Sequence, residues 1–327
     1  MAENETVTRE PEPIPAAAPA LETVLRGHAR DVDGFTVSRV LPSLARKHVG
    51  PFTFFDHMGP SELPPGRGLD VRPHPHIGLA TVTYVIEGEI IHRDSLGFAQ
   101  AIRPGAVNWM TSGRGITHSE RTSSELRQSG SKLHVVQLWV ALPTSHEEIA
   151  PEFQHHPADT LPEFELNRVP LRLLAGSAYG RTSPVRIYSP LFYLEATLPA
   201  GSTLSLPEEH EERGVYVLSG ALSCAGEVLE ARSLGIFNPG GAPSVHAESA
   251  SRILLLGGAP PDGPRYIEWN FVSSSRERIE QAKRDWQAGL FPKVPGDEVE
   301  FIPLPEKPAQ PQAGLAMPPG LSPDPKR

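Results

Sequence analysis

Residues 72–89 read RPHPHIGLATVTYVIEGE and residues 112–120 read SGRGITHSE. The first stretch decides the fold class. Thr81, Val82, Thr83, Tyr84, Val85 and Ile86 are β-branched or aromatic and stop at Glu87-Gly88, which predicts a β-strand running into a turn. Just before it, at the expected mouth of that strand, His74 and His76 stand two residues apart, so on an extended chain their imidazoles leave the same face. His118 and Glu120 repeat the spacing after RPGAVNWMTSGRG, whose glycines and proline turn the chain back towards the sheet. Face to face, the two pairs offer three neutral imidazoles and one carboxylate. An isolated histidine at a strand end is usually only hydrogen-bonded or solvated. Two matched pairs point instead to one shared metal. Nitrogen and oxygen donors without thiolate suit Fe(II), Mn(II), Ni(II), Cu(II) or Zn(II), and open octahedral positions admit substrate and dioxygen.

Composition sets the frame around this motif. The chain has 327 residues, long enough for two domains with substantial cores. Its 36 prolines and 29 glycines against 39% hydrophobic residues favour many short strands joined by turns, an all-β protein rather than a helical bundle. A net charge of -9 argues against general nucleic-acid binding and against an anionic membrane surface. Cys224 is the single cysteine, so neither an intrachain disulfide nor a cysteine zinc site can form. The opening MAENETVTREPEPIPAAAPA lacks the basic start and apolar core of a signal peptide, and no stretch reaches the apolar length of a membrane span, so a cytoplasmic protein is expected. Residues 1–22 and the proline-rich residues 306–327 read as disordered ends, the latter a solvated tail that could also dock a partner.

An internal repeat supports two domains. HPHIGLATVTYVIEGEI lies on LPEEHEERGVYVLSGAL with Tyr84 on Tyr216 and Gly88 on Gly220, and SGRGITHSE then falls on GGAPSVHAE with His246 on His118 and Glu248 on Glu120. At the positions of His74 and His76 the second copy has Leu206 and Glu208, so it reads as a structural domain with metal-site remnants in His210, Glu212 and His246. Near the end, Ser274 and Glu277 have capping-box spacing and Ile279, Ala282 and Trp286 recur at helical intervals before Gly289, predicting an amphipathic helix near 274–288. Arg276, Arg278, Lys283 and Arg284 are expected on its solvent side.

GPFTFFDHMGP, HPHIGLATVTYVIEGEI, NWMTSGRGITHSE, HVVQLWVALP and PRYIEWNFVSSSRERIEQAKRDW together resemble the pirin family of the cupin superfamily, over about residues 25–305. The resemblance implies a bicupin, two β-barrel or jelly-roll domains side by side: an N-terminal metal-binding cupin over 23–150 and a degenerate C-terminal cupin over 151–305. It implies one metal, commonly iron, held by His74, His76, His118 and Glu120. Cupins in general place a ligand glutamate four residues after the second histidine, where this chain has Ala80; Glu120 supplies the carboxylate instead. Two functions follow from the resemblance. One is flavonol ring opening, a quercetin 2,3-dioxygenase activity in which Glu120 is both ligand and base. The other is an iron-dependent redox sensor without turnover that binds a transcriptional or metabolic protein partner. Around the site, His57 is expected either to orient a ligand or substrate or to satisfy a buried loop, and Phe54, Phe55, Trp109 and Met110 either to wall an apolar pocket or to be plain core. Arg114 is expected to contact an anionic substrate or to fix its loop. His92, His134, His146, His155 and His156 read as structural or exposed.

Overall fold

The computed structural model describes residues 20–305. The expectations for residues 1–19 and for the tail from 306 lie outside the described residues, whereas Leu21 and Glu22, expected at the end of a disordered extension, belong to a strand. Each half of the chain is a sandwich of one large and one four-stranded antiparallel sheet, a jelly-roll form of the bicupin rather than a closed hydrogen-bonded barrel. In the first domain the large sheet runs Glu152–His156, Val107–Thr111, Leu79–Glu87, Ser131–Ala141, Phe52–Leu63, Phe35–Leu41, His28–Val32. Its small sheet runs Asp70–His76, Ile116–Arg121, Ile90–Asp94, Ala99–Ile102. The second domain repeats the plan, with Glu212–Ser219 in the place of Leu79–Glu87 and Ser244–Ala247 in the place of Ile116–Arg121.

The strand Leu79–Glu87 is buried along all but its last residue. Ala80, Val82, Tyr84 and Ile86 enter a core shared with Tyr193, Tyr216, Leu254 and Leu256 of the second domain. Val85, one residue out of phase, packs with Val71, Ile90 and Ile102 of the first domain's own small sheet. Burial on both faces explains why this strand reads as a nearly continuous run of β-formers rather than an apolar–polar alternation. The two large sheets are therefore stacked back to back, and each domain's second core lies between its own two sheets.

The edges of the large sheets are exchanged between the halves. Leu21–Arg26 pairs with Ser233–Phe237, so the residues from 23 to 26 lie in the second sheet and not in the first, where the sequence division puts them. Conversely Glu152–His156 pairs with Val107–Thr111 and closes the edge of the first. Each exchange covers a strand edge that would otherwise be open to another chain.

The helix spans Arg276–Gln287 and its N-cap is Ser275, whose hydroxyl accepts from the Arg278 N–H. Ser274, the expected cap, is instead occupied by Glu147, which accepts from both its backbone N–H and its hydroxyl. Ile279 and Ala282 bury against Ile77 and Phe271, which places the helix beside the end of the histidine strand; burial of the Ile279 side chain stabilises this docking by about 2 kcal/mol. Lys283, expected in solvent, is buried and donates to Glu268 and Glu280 at 2.5 and 2.8 Å. Among the described residues no helix is long and apolar enough to cross a membrane.

Candidate metal centre

His74 and His76 close the strand Asp70–His76; the turn at Ile77-Gly78 separates them from Leu79–Glu87, so HPH ends one strand rather than opening the next. His118 lies directly opposite His74 on the neighbouring strand, and an irregularity beyond it sets Glu120 opposite Val71, two residues facing three. That register brings the three imidazoles together, with one ligand atom of each within 4.8 Å of those of the others. The Nε2 atoms of His76 and His118 are 3.1 Å apart.

Two of the three rings are locked from behind. His74 Nδ1 donates to the Arg72 carbonyl at 2.8 Å and His76 Nδ1 donates to the Asn270 carbonyl at 3.0 Å. Each bond fixes the tautomer, leaving Nε2 as a lone pair aimed into the shared space. Burial pushes His74 down to about 4 and holds His76 and His118 well below the ordinary imidazole range, so all three are neutral at pH 7. His118 Nδ1 is itself buried without a hydrogen-bond partner among the described residues. Neutral, pre-oriented nitrogen donors converging at one point fit a divalent cation.

Glu120 is buried and lines the same cavity, although its carboxylate is not among the mutually close ligand atoms. Thr83 donates to its Oε1 at 3.2 Å, and burial raises its pKa above the usual carboxylate value. His92 is paired opposite Glu120. It is buried, with its ring 5.3 Å from that of His118, stacked on Phe153, and its Nε2 bound to Asp94 Oδ2 at 2.9 Å. Of the two readings expected for His92, structural or exposed, the structure shows the buried one, and its ring adjoins that of His118. His92 and Asp94 have the same two-residue spacing as the other two pairs, a signal present in the sequence.

The cavity beside the histidines has a volume of about 430 Å³. Its walls include Phe54, Trp139, Val71, Val135, Arg39 and Asp56. Phe54 stacks on Trp139 at 4.0 Å and 13°, and Trp139 meets His76 edge-on at 5.3 Å. Of the four residues weighed for this wall only Phe54 lines it: Phe55 and Trp109 face the other domain, and Met110 packs with Ile116 and Phe153. His57 also points away from the cavity, to Tyr216 Oη at 2.8 Å and His134 Nε2 at 2.6 Å. Arg114 fixes its loop through the backbone, its N–H donating to the Ile149 carbonyl and its carbonyl accepting from Arg278.

A further part of the site comes from the far end of the chain. Ile267, Trp269, Asn270 and Ile302 all line the cavity, and Gly78 admits this segment. A Cβ on Gly78, whose φ is +67°, would stand 2.0 Å from the Val272 carbonyl oxygen.

Among the described residues the second domain brings no comparable set together. His210 binds the Ser177 carbonyl, His246 meets Thr203, and Glu212 accepts from Arg46 and from the Gly50 N–H. Leu204, Leu206, Val245 and Ala247 belong to the aliphatic core where the first domain has its histidines.

A metal-ready histidine triad in the first of two cupin sandwiches, beside an apolar cavity, defines the class. The pirin family model matches residues 34–140 and the model of the pirin C-terminal cupin domain matches residues 193–292; the chain belongs to the pirin family. A pirin-like protein of Caulobacter vibrioides is 51% identical over 290 residues, covering 88% of this chain and all of that one. The crystal structure of a quercetin 2,3-dioxygenase from Acinetobacter baumannii superposes with a TM-score of 0.81 at 33% identity, covering 88% of this chain and 96% of that one. The Escherichia coli pirin YhhW, solved with nickel(II), has a TM-score of 0.58 at 20% identity over 73% of this chain and 99% of that one, and shares the fold.

Proposed function

We propose that this chain is a metal-dependent dioxygenase acting on planar enol-ketones of the flavonol type, with one divalent ion, Fe(II), per chain. The observation that carries the reading is the convergence of three buried neutral imidazoles, two of which, His74 and His76, line a largely apolar cavity together with the buried Glu120. The similar Acinetobacter baumannii structure, a quercetin 2,3-dioxygenase, supports the choice of substrate class.

His74, His76 and His118 would hold the ion, with Glu120 as a fourth, oxygen donor. When bound, the ion supplies Lewis-acid stabilisation of an enolate and open positions for dioxygen. The chain's own contribution is position and proton transfer. The edges of the stacked Phe54 and Trp139 rings, with Val71 and Val135, give a planar ring an apolar wall to lie against. Glu120 accepts the enol proton as the substrate binds. The bond from Thr83 orients its carboxylate and favours its ionised form, the form that accepts a proton.

The test is anaerobic reconstitution with Fe(II), followed by quercetin and air, recording oxygen uptake and carbon monoxide release. Uptake is expected with one iron per chain, and Glu120→Gln is expected to retain iron and lose about 10²–10⁴ in rate, the usual worth of a general base. Full metal occupancy in a His74→Ala, His118→Ala double variant would overturn the site. An iron-filled protein that binds quercetin and consumes no oxygen would overturn the activity.

A further inference from the structure

Arg39 and Asp56 form an ion pair in the cavity wall. Arg39 Nε donates to Asp56 Oδ1 at 2.8 Å and its Nη2 donates to Oδ2 at 2.7 Å. The guanidinium carbon lies 4.4 Å over the Phe54 ring, which continues through Trp139 to His76. One row of stacked groups therefore runs from the candidate metal ligands to this ion pair, whose end of the cavity is also lined by Gln137, Asp31 and Asp33.

The chemistry of the pair selects its partner. The bidentate contact uses two of the five guanidinium N–H donors and about two of the four carboxylate lone pairs, so both groups keep capacity for a ligand. A ligand carboxylate would meet Asp56, and Asp31 also lines the cavity; a ligand ammonium would meet Arg39. A neutral hydroxyl can donate to the carboxylate and accept from the guanidinium at once. Trp139 and the Arg39 guanidinium cover the two faces of Phe54, so a flat ligand ring would lie against the edge of this stack and carry such a hydroxyl alongside the pair.

We infer that Arg39 and Asp56 are specificity-determining residues that recognise a phenolic hydroxyl on the part of the ligand remote from the histidines. The inference rests on the flavonol reading for the ligand's other end. It divides the ligand into an enol-ketone at the histidines and a hydroxylated ring at the ion pair, and it makes the hydroxyl pattern of the pendant ring the feature on which substrates are sorted.

Equilibrium binding under nitrogen to the Fe(II)-loaded and the metal-free protein tests this with quercetin and galangin. Galangin keeps the enol-ketone and lacks both hydroxyls of the pendant ring. Iron-loaded wild type is expected to bind quercetin at least about tenfold more tightly than galangin, the scale of one charge-assisted hydrogen bond. The metal-free protein should bind both more weakly and keep the ratio. Asp56→Asn should bring the ratio close to one while galangin affinity stays within about twofold. The double variant Arg39→Gln, Asp56→Asn, which leaves no unpaired charge in the wall, should do the same if the single variant folds poorly. A wild-type ratio near one, a ratio retained in the variants, or a parallel fall for both flavonols would overturn the inference; with quercetin-dependent oxygen uptake intact, the flavonol reading would survive. Binding of neither compound would overturn both.

Discussion

Acid should weaken the contact between the two domains through His57. This ring is almost wholly buried between the large sheets, bonded to Tyr216 of the second domain on one nitrogen and to His134 on the other. Burial, the neighbouring His134 ring and the Arg232 guanidinium together push its pKa down to about 3. An unfolded chain protonates the same side chain near 6.5. Between these values the unfolded state binds a proton that the folded state refuses, so this contribution to stability is complete above about pH 6.5 and is lost as pH falls towards 3. The slope is about 1.4 kcal/mol per pH unit for one proton, so moving from pH 6.5 to 4.5 removes about 2–3 kcal/mol. For a cooperative unit of this size that is about 4–5 °C in Tm. The comparison is with His57→Gln, which offers Tyr216 a polar partner and does not titrate. Both proteins carry His134→Gln, because His134 bonds His57 directly, and groups away from the pair, the candidate metal ligands included, titrate alike in both when chelator is present. Thermal unfolding at half-unit steps from pH 7.5 to 4.5 should show the curve of the protein that keeps His57 falling more steeply, by close to one proton. Parallel curves would refute the reasoning, because they would mean that His57 is as easily protonated in the folded protein as in the unfolded one.

Gly78→Ala should be disproportionately damaging: its φ of +67° and the 2.0 Å approach of a Cβ to the Val272 carbonyl require the 270–273 segment to retreat, with a cost of about 2–4 kcal/mol. Since Asn270 fixes the His76 tautomer, metal affinity measured by competition with a chelator should fall about 10–100-fold in the same variant, and an unchanged affinity would show that Asn270 does not matter. Metal analysis of the purified protein should give one ion per chain. Two would mean that Glu212 and His246 are recruited despite their present bonds to Arg46, Gly50 and Thr203. Trp139→Leu should weaken flavonol binding by about 1–2 kcal/mol through loss of the stacked wall, with metal content unchanged; a fall in metal content would make Trp139 a prop for His76 rather than part of the ligand surface.

The part of the site that could be read from the sequence is local. Strand periodicity places His74 with His76 and His118 with Glu120 without knowledge of the fold, and the same rule would have found His92 with Asp94. What escaped depends on contacts distant in sequence or on which face of a doubly buried strand turns inward. Phe54 and Phe55 are adjacent, so one must face the cavity and the other the second domain, but both faces of their strand are apolar and the alternation carries no sign. The same ambiguity leaves two readings of His57 open in the sequence, and the structure turns it away from the cavity towards Tyr216 and His134. Three consecutive serines precede the helix, and the choice of Ser275 over Ser274 is made by Glu147, more than a hundred residues earlier. Asn270 could not have been found by spacing, since it lies 194 residues from the histidine it orients.

That distance also gives the second domain a role that does not depend on metal binding. Its cavity position is filled by Leu204, Leu206 and Val245, yet the chain leaving it returns across the first domain through Ile267, Trp269 and Asn270, continues into the helix packed on Ile77, and passes the cavity again at Ile302. Ile302 donates its N–H to the Pro73 carbonyl, and Arg121, the neighbour of Glu120, holds Asp297 and Glu300. The returning segment is thus tied to both strands that carry the candidate ligands. It supplies the acceptor that orients His76 and part of the cavity wall. An isolated first domain ending near residue 156 would retain all four candidate ligands and lose these supports, so it should bind metal less tightly and with a more open, wetter cavity.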